Sequence, residues 1–438
     1  NLLLLVFFKY AGFAAANLEY LCHWHLPHPD ILLPIGISFF TFQQIAYLSD
    51  CHAGTVREYS FINYGLFVTF FPHLIAGPIV HHREMMGQYE QLAYRPFSSE
   101  KFALGLFLFS IGLLKKTGLA DNLAALSDPI FALSTHAQAL DIYSAWLAAI
   151  GFSFQIYFDF SGYSDMAIGL ALLFGIHFPM NFNSPYQAAS IINFWHRWHM
   201  TLSRWLKDYL YIPLGGNRRG PVRRYANLLI TMLLGGLWHG ANWTFVLWGG
   251  LHGIYLLLNH TWKATFRPLL PAAVITTKTY KVFCWAVTML AVVTAWVLFR
   301  AENLSSAGVI LHGMFAGDHI VVPPNLHGWL GKILAPQHMA WVHLDTEAHI
   351  YGGVWHLALL AGCFFICVFL PNSQRLLAAY KPTLEQLSEG YQVARSRLAK
   401  FFSLGFVPGA VCGFVVLGTV IHQILSHTEI PAFIYFKF

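Results

Sequence analysis

The chain has 438 residues, of which 56% are hydrophobic, 16% aromatic and only 11% charged, with a mean hydropathy of +0.52 and a formal net charge of +6. A soluble domain carries roughly 25% charged residues, so this composition excludes a soluble enzyme and implies a polytopic membrane protein, with no nucleic acid among the expected partners. Six cysteines are scattered without paired spacing, which predicts neither a disulfide framework nor a zinc site but buried, small apolar residues.

The chain begins at Asn1 and runs at once into LLLLVFF, with neither the charged leader nor the cleavage site of a signal peptide, so an N-terminal segment is expected to be missing. Cys22, His23, His25, His28 and Asp30 follow. Their prolines and lack of helical spacing predict a solvated loop rather than a metal site, and no metal is expected. Apolar segments then recur near 31–48, 61–80, 103–121, 143–158, 164–179, 226–239, 242–258, 282–299, 353–371 and 405–426. Several are shorter than the ~20 residues of a simple span, which predicts broken or re-entrant helices, with breaks at Pro34-Ile35-Gly36 and Pro72 to Pro78. No internal repeat or soluble domain boundary is visible. One membrane domain over 1–438 is expected, with a catalytic core near 31–258 and C-terminal helices over 282–438.

In YFDFSGYSD, Asp159 and Asp165 read either as buried acid/base groups or as caps of a broken helix. Arg197, Arg204, Lys207, Arg218, Arg219, Arg223 and Arg224 precede one apolar hairpin, and Lys263, Arg267, Lys278 and Lys281 follow it. Basic short loops stay cytoplasmic, so both flanks of that hairpin do, while 301–352 is external and 372–400 internal.

From Phe194 to Leu210 a helical wheel gathers Phe194, Trp195, Trp198, Leu202, Trp205, Leu206, Tyr209 and Leu210 on one half. This predicts one interfacial helix, indoles toward the acyl chains and cations toward water. His199 falls inside the apolar half, where a desolvated, neutral imidazole can accept a proton. A helix over Ala226 to Trp238 carries His239 ~20 Å inward from the basic face. Gly235, Gly236 and Gly240 then leave room beside it for a substrate. An ionisable group at that depth is a functional-site hypothesis by default. The cations from Arg218 to Arg224 read either as an orientation anchor or as binders of ligand phosphates.

FWHRWHMTLSRWLKDYLYIPLGGNRRG and MLLGGLWHGANWTFVLWGGLHG resemble the signature of the membrane-bound O-acyltransferase superfamily, specifically its bacterial alginate O-acetyltransferase-like branch. LPIGISFFTFQQIAYLSD, FPHLIAGPI, YFDFSGYSDMAIGLALLFG, NFNSPYQ, WVLFRAENLSSA and FIYFKF extend the resemblance to the last residue. His196 departs from it, standing where the family commonly has arginine. The resemblance implies an all-α bundle of about 10–11 transmembrane or re-entrant helices with interfacial helices, in a bacterial cytoplasmic membrane. It implies acetyl transfer from cytoplasmic acetyl-CoA, a co-substrate rather than a bound cofactor, to a polysaccharide hydroxyl or a partner acetyltransferase outside. His239 and His199 match the catalytic histidines.

A neutral imidazole can take the proton of an attacking hydroxyl, so His239 is expected to act as base, with His199, Trp238 and Asn242 orienting it or polarising the thioester. Trp198, Asp159, Tyr163 and the cations Arg197, Arg204, Lys207, Arg218 and Arg219 complete the expected binding set. No Gly-x-Ser-x-Gly elbow occurs, which argues against a serine acyl-enzyme. Acceptors such as peptidoglycan or cellulose stay open, and a proton-coupled transporter using His239 and Asp159 is the rival from another class. The 301–352 loop and Phe433-Ile434-Tyr435-Phe436 are expected docking surfaces for a partner.

Overall fold

Long apolar runs become helices because in hydrocarbon only an internally hydrogen-bonded backbone is tolerated. The computed structural model describes residues 1–23, 31–56, 60–92, 94–136, 139–317, 320–322, 342–344 and 353–384, with isolated helical positions beyond. Its principal helices are α1 (Leu2–Cys22), α2 (Ile37–His52), α3 (Phe61–Thr69), α4 (His82–Leu92), α5 (Ser99–Thr135) and α6 (Ile142–Leu173). After these come α7 (Ile191–Trp195), α8 (Met200–Leu206), α9 (Gly220–His239), α10 (Trp243–Thr261), α11 (Lys278–Arg300), α12 (Leu304–Ala316) and α13 (Val354–Phe369). Two three-residue strands, Ile320–Val322 and Val342–Leu344, pair in parallel. The helices α1, α5 and α11 are each long and apolar enough to cross a membrane.

The buried helix α6 organises the core, packing on α5, α11 and α12. Its closest approach is to α5, where glycines face each other in antiparallel order. A Cβ on Gly105 would come 2.6 Å from the Gly169 carbonyl, and one on Gly162 2.7 Å from the Gly112 carbonyl. Small residues at such crossings let two backbones touch, which is how membrane helices gain packing energy without a hydrophobic drive.

Hydropathy predicts two apolar segments at 143–158 and 164–179, but one 32-residue helix covers both up to Leu173. Asp159 and Asp165 do not cap a break. They answer two lysines in the π-helical turn Lys115–Ala120 of α5: Lys116 lies 2.7 Å from both Asp159 and Asp121, and Lys115 lies 2.6 Å from Asp165. Asp165 also accepts from Ser373 Oγ at 2.6 Å and from Gln374 Nε2. A carboxylate in an apolar interior is stable only when so matched.

Pro34 to Gly36 is a break, as expected, with Gly36 left-handed at φ 75° before α2. At Pro72 α3 gives way to a 3-10 turn and extended chain. Of the cysteines, Cys363 and Cys367 are buried as expected, whereas Cys22 is exposed and Cys51 and Cys284 are half-buried. His25, His28 and Asp30, most of the external loop, most of the segment at 405–426 and the Phe433 to Phe436 tail lie outside the described residues.

Candidate functional site

The stretch from Phe194 to Leu210 is not one surface helix. It consists of α7, a tight turn over His196 to His199, and α8 running into a π turn over Lys207–Tyr211. The turn is held by the segment 181–183: Asn183 N donates to Arg197 O at 2.9 Å, and Met200 N to Asn181 O at 2.9 Å. The indoles face protein rather than lipid. Trp195, Trp198 and Trp205 are 8%, 2% and 6% exposed. Trp195 Nε1 donates to His252 Nδ1 at 3.3 Å and Trp205 Nε1 to Phe42 O at 3.0 Å, while Trp198 stacks on Phe194. Helical periodicity reports an apolar face but not what covers it.

His199 occupies the αL region at φ 42° and is fully buried. Its Nδ1 lies 3.1 Å from Asn181 Oδ1, an oxygen that also accepts from Thr201 N at 3.4 Å and Thr201 Oγ1 at 2.9 Å. Because the Thr201 amide can only donate, that Asn181 atom is an acceptor, and so His199 carries its proton on Nδ1. Nε2 is thereby left as a lone-pair acceptor, buried and without a protein partner. This is the form a proton-accepting imidazole requires.

His239 ends α9, a helix that rises ~28 Å from Gly220 and ~20 Å from Ala226, where its apolar run begins. The ring is 6% exposed, in an aromatic box of Trp238, Trp248 and Phe299, with centroids 4.9, 5.2 and 5.1 Å away. Phe42 lies between Trp238 at 4.6 Å and Trp205 at 3.7 Å, stacked on both, which joins the α8 motif to the end of α9.

The glycines around His239 serve packing, not substrate access. A Cβ on Gly236 would meet Gly249 at 3.0 Å, one on Gly235 would meet Leu206 at 3.2 Å, and one on Gly240 would enter the Phe245 ring. Asn242 caps α10 by accepting from Thr244 N at 3.0 Å, and its amide donates to Glu302 O at 2.8 Å. It builds the turn after His239 and has no amide hydrogen aimed at the imidazole among these bonds.

The remaining expected residues divide in two. Asp159 is matched to Lys116, Tyr163 hydrogen-bonds the Ala76 backbone, Arg197 donates to Asn183 O and Ser184 O, and Arg204 grips Glu84 at 2.7 and 3.1 Å. These tie elements together. Beside Glu84, His81 is held down to about 3 by burial and by the charges of Arg204 and Arg83. Lys207, Arg218 and Arg219 instead stand exposed toward the basic end of α9, where among the described residues their one ion-pair contact is Lys207 to Asp208 at 3.7 Å. One helix thus runs from exposed cations to a buried imidazole.

Three participants carried no local signal in the sequence. Lys9 Nζ donates to Trp238 O at 2.6 Å and His239 O at 3.0 Å, Asn181 sets the His199 tautomer, and His252, fully buried, accepts from Trp195. Their neighbours are far away along the chain. An unpaired lysine in an apolar helix is the one clue that could have singled out Lys9.

A family model described as MBOAT, membrane-bound O-acyltransferase family, matches residues 38–299. The chain is 45% identical over 342 residues to a peptidoglycan O-acetyltransferase of Helicobacter pylori, covering 72% of this chain and 63% of that protein. It is 44% identical over 324 residues to a probable alginate O-acetylase of Azotobacter vinelandii, covering 73% and 62%. More distantly, it is 30% identical over 251 residues to a teichoic acid D-alanyltransferase of Bacillus subtilis, covering 53% and 60%. The chain spans about six tenths of the length of these curated relatives. The matched span includes α9, His199, His239 and the aromatic box, and with the long apolar helices it makes the chain a multi-pass membrane protein that belongs to the membrane-bound O-acyltransferase family.

Proposed function

We propose that the protein is an O-acetyltransferase of the bacterial cytoplasmic membrane, moving an acetyl group from cytoplasmic acetyl-CoA to a polysaccharide hydroxyl outside, directly or through a partner acetyltransferase. The observation that carries this reading is α9 itself, with exposed Arg218 and Arg219 at one end and buried His239 at the other. Cations at the mouth suit the phosphates of an anionic thioester. The imidazole takes the proton from the attacking hydroxyl as its oxygen bonds to the thioester carbonyl carbon. The C–S bond then breaks, and the departing thiolate recovers that proton. His199, with its open Nε2, is the second proton-accepting group.

The relatives named as a peptidoglycan O-acetyltransferase and a probable alginate O-acetylase support acetyl as the transferred group, and the peptidoglycan and alginate in their names support a polymer acceptor. His239→Ala should lower acetyl transfer from labelled acetyl-CoA by ~10²–10⁴-fold while the protein still inserts and accumulates normally. Transfer at the wild-type rate by that variant would rule out the assignment.

A further inference from the structure

From Leu2 to Ala16 the helix α1 carries no charged residue but Lys9. A lone ammonium on such a helix is expensive unless protein oxygens surround it. Here it has three: Ser38 Oγ at 3.2 Å, Trp238 O at 2.6 Å and His239 O at 3.0 Å. Two are main-chain carbonyls of the last turn of α9. No later amide of that helix can reach them, because the chain leaves extended at Gly240, φ −163° and ψ 150°. The adjacent Tyr10 hydroxyl donates to Leu237 O at 2.9 Å, and Asn17 accepts from Trp243 Nε1 at 2.8 Å on the other side of the turn. Three successive carbonyls, from Leu237 to His239, are therefore bound by one neighbouring helix.

We propose that Lys9 is a positioning residue for acetyl transfer: its ammonium closes the C-terminal end of α9 and fixes the His239 backbone, and through it the imidazole. The cation meets the negative end of the helix dipole, which favours this arrangement electrostatically. All three ammonium hydrogens are engaged, so Lys9 acts through His239 and does not touch substrate. The proposal rests on His239 being the base. An imidazole misplaced by ~1 Å loses ~100-fold in rate while the donor still binds at its distant mouth.

The test uses the full-length protein in inverted membrane vesicles supplied with radiolabelled acetyl-CoA, comparing wild type, Lys9→Met, Lys9→Arg and His239→Ala. Lys9→Met should lower kcat ~100-fold per folded molecule, with KM for acetyl-CoA unchanged, and Lys9→Arg should recover at least ~10-fold of that loss. A Lys9→Met enzyme whose kcat matches wild type while His239→Ala is inactive overturns the role of Lys9 alone. An active His239→Ala overturns both this proposal and the function on which it rests. If Lys9→Met does not accumulate, Ser38→Ala decides, since it removes one acceptor without burying a bare charge. A several-fold fall in kcat at constant KM supports the proposal, and an unchanged kcat overturns it.

Discussion

An imidazole is useful as a base only on the nitrogen that lacks a proton, and at His199 a single amide oxygen makes that choice. Asn181 Oδ1 accepts from both the His199 ring and Thr201, so Nε2 is the open site. Replacing Asn181 by leucine keeps the bulk and removes the acceptor. It should lower kcat ten- to a hundredfold, about the scale seen when a histidine loses the partner that sets its tautomer. Asn181→Asp, which keeps an acceptor, should lose less, and equal losses in steady-state assays would refute this role. His239 was legible because Trp-His-Gly ends an apolar run whose start is marked by arginines. Asn181 was not, since its asparagine looks like any turn residue until the turn over His196 to His199 is folded against it.

Helices here are paired by what their glycines leave out. Where Gly105 meets Gly169 and Gly236 meets Gly249, the backbones are too close for any side chain. Gly169→Val or Gly236→Val should destabilise the protein by about 3 kcal/mol or more, read as loss of folded protein in detergent size exclusion. Gly362→Ala, with open space around its added Cβ, should leave that profile unchanged. The α9–α10 hairpin was readable from two apolar runs and the Gly-Ala-Asn between them. The 32-residue length of α6 was not, because Asp159, Ser164 and Asp165 interrupt its hydropathy just where they turn toward other protein groups. A polar interruption signals a loop only if water, rather than a facing lysine, satisfies it. The same ambiguity made the tryptophans of α7 and α8 look lipid-facing when Phe42 and His252 receive them.

Across the molecule, the cations that bind elements and those free to meet a ligand are different residues. Arg197 and Arg204 are engaged internally, whereas Arg218 and Arg219 stand exposed. Arg218→Ala with Arg219→Ala should raise KM for acetyl-CoA about tenfold, the equivalent of ~1.4 kcal/mol, with little change in kcat. Added salt should weaken the wild type toward the double variant, and a salt-independent KM in both would argue that the phosphates bind elsewhere.

The lysine–aspartate pairs between α5 and α6 also bear on how the chain enters a membrane. Among the charged residues of this hairpin, Lys115, Lys116, Asp121, Asp159 and Asp165 each meet an opposite charge within it. Singly, either helix would present naked ions to lipid during synthesis. Together they are nearly neutral, which favours release from the insertion machinery as a joined couple, α5 waiting for α6 before either leaves the protected channel.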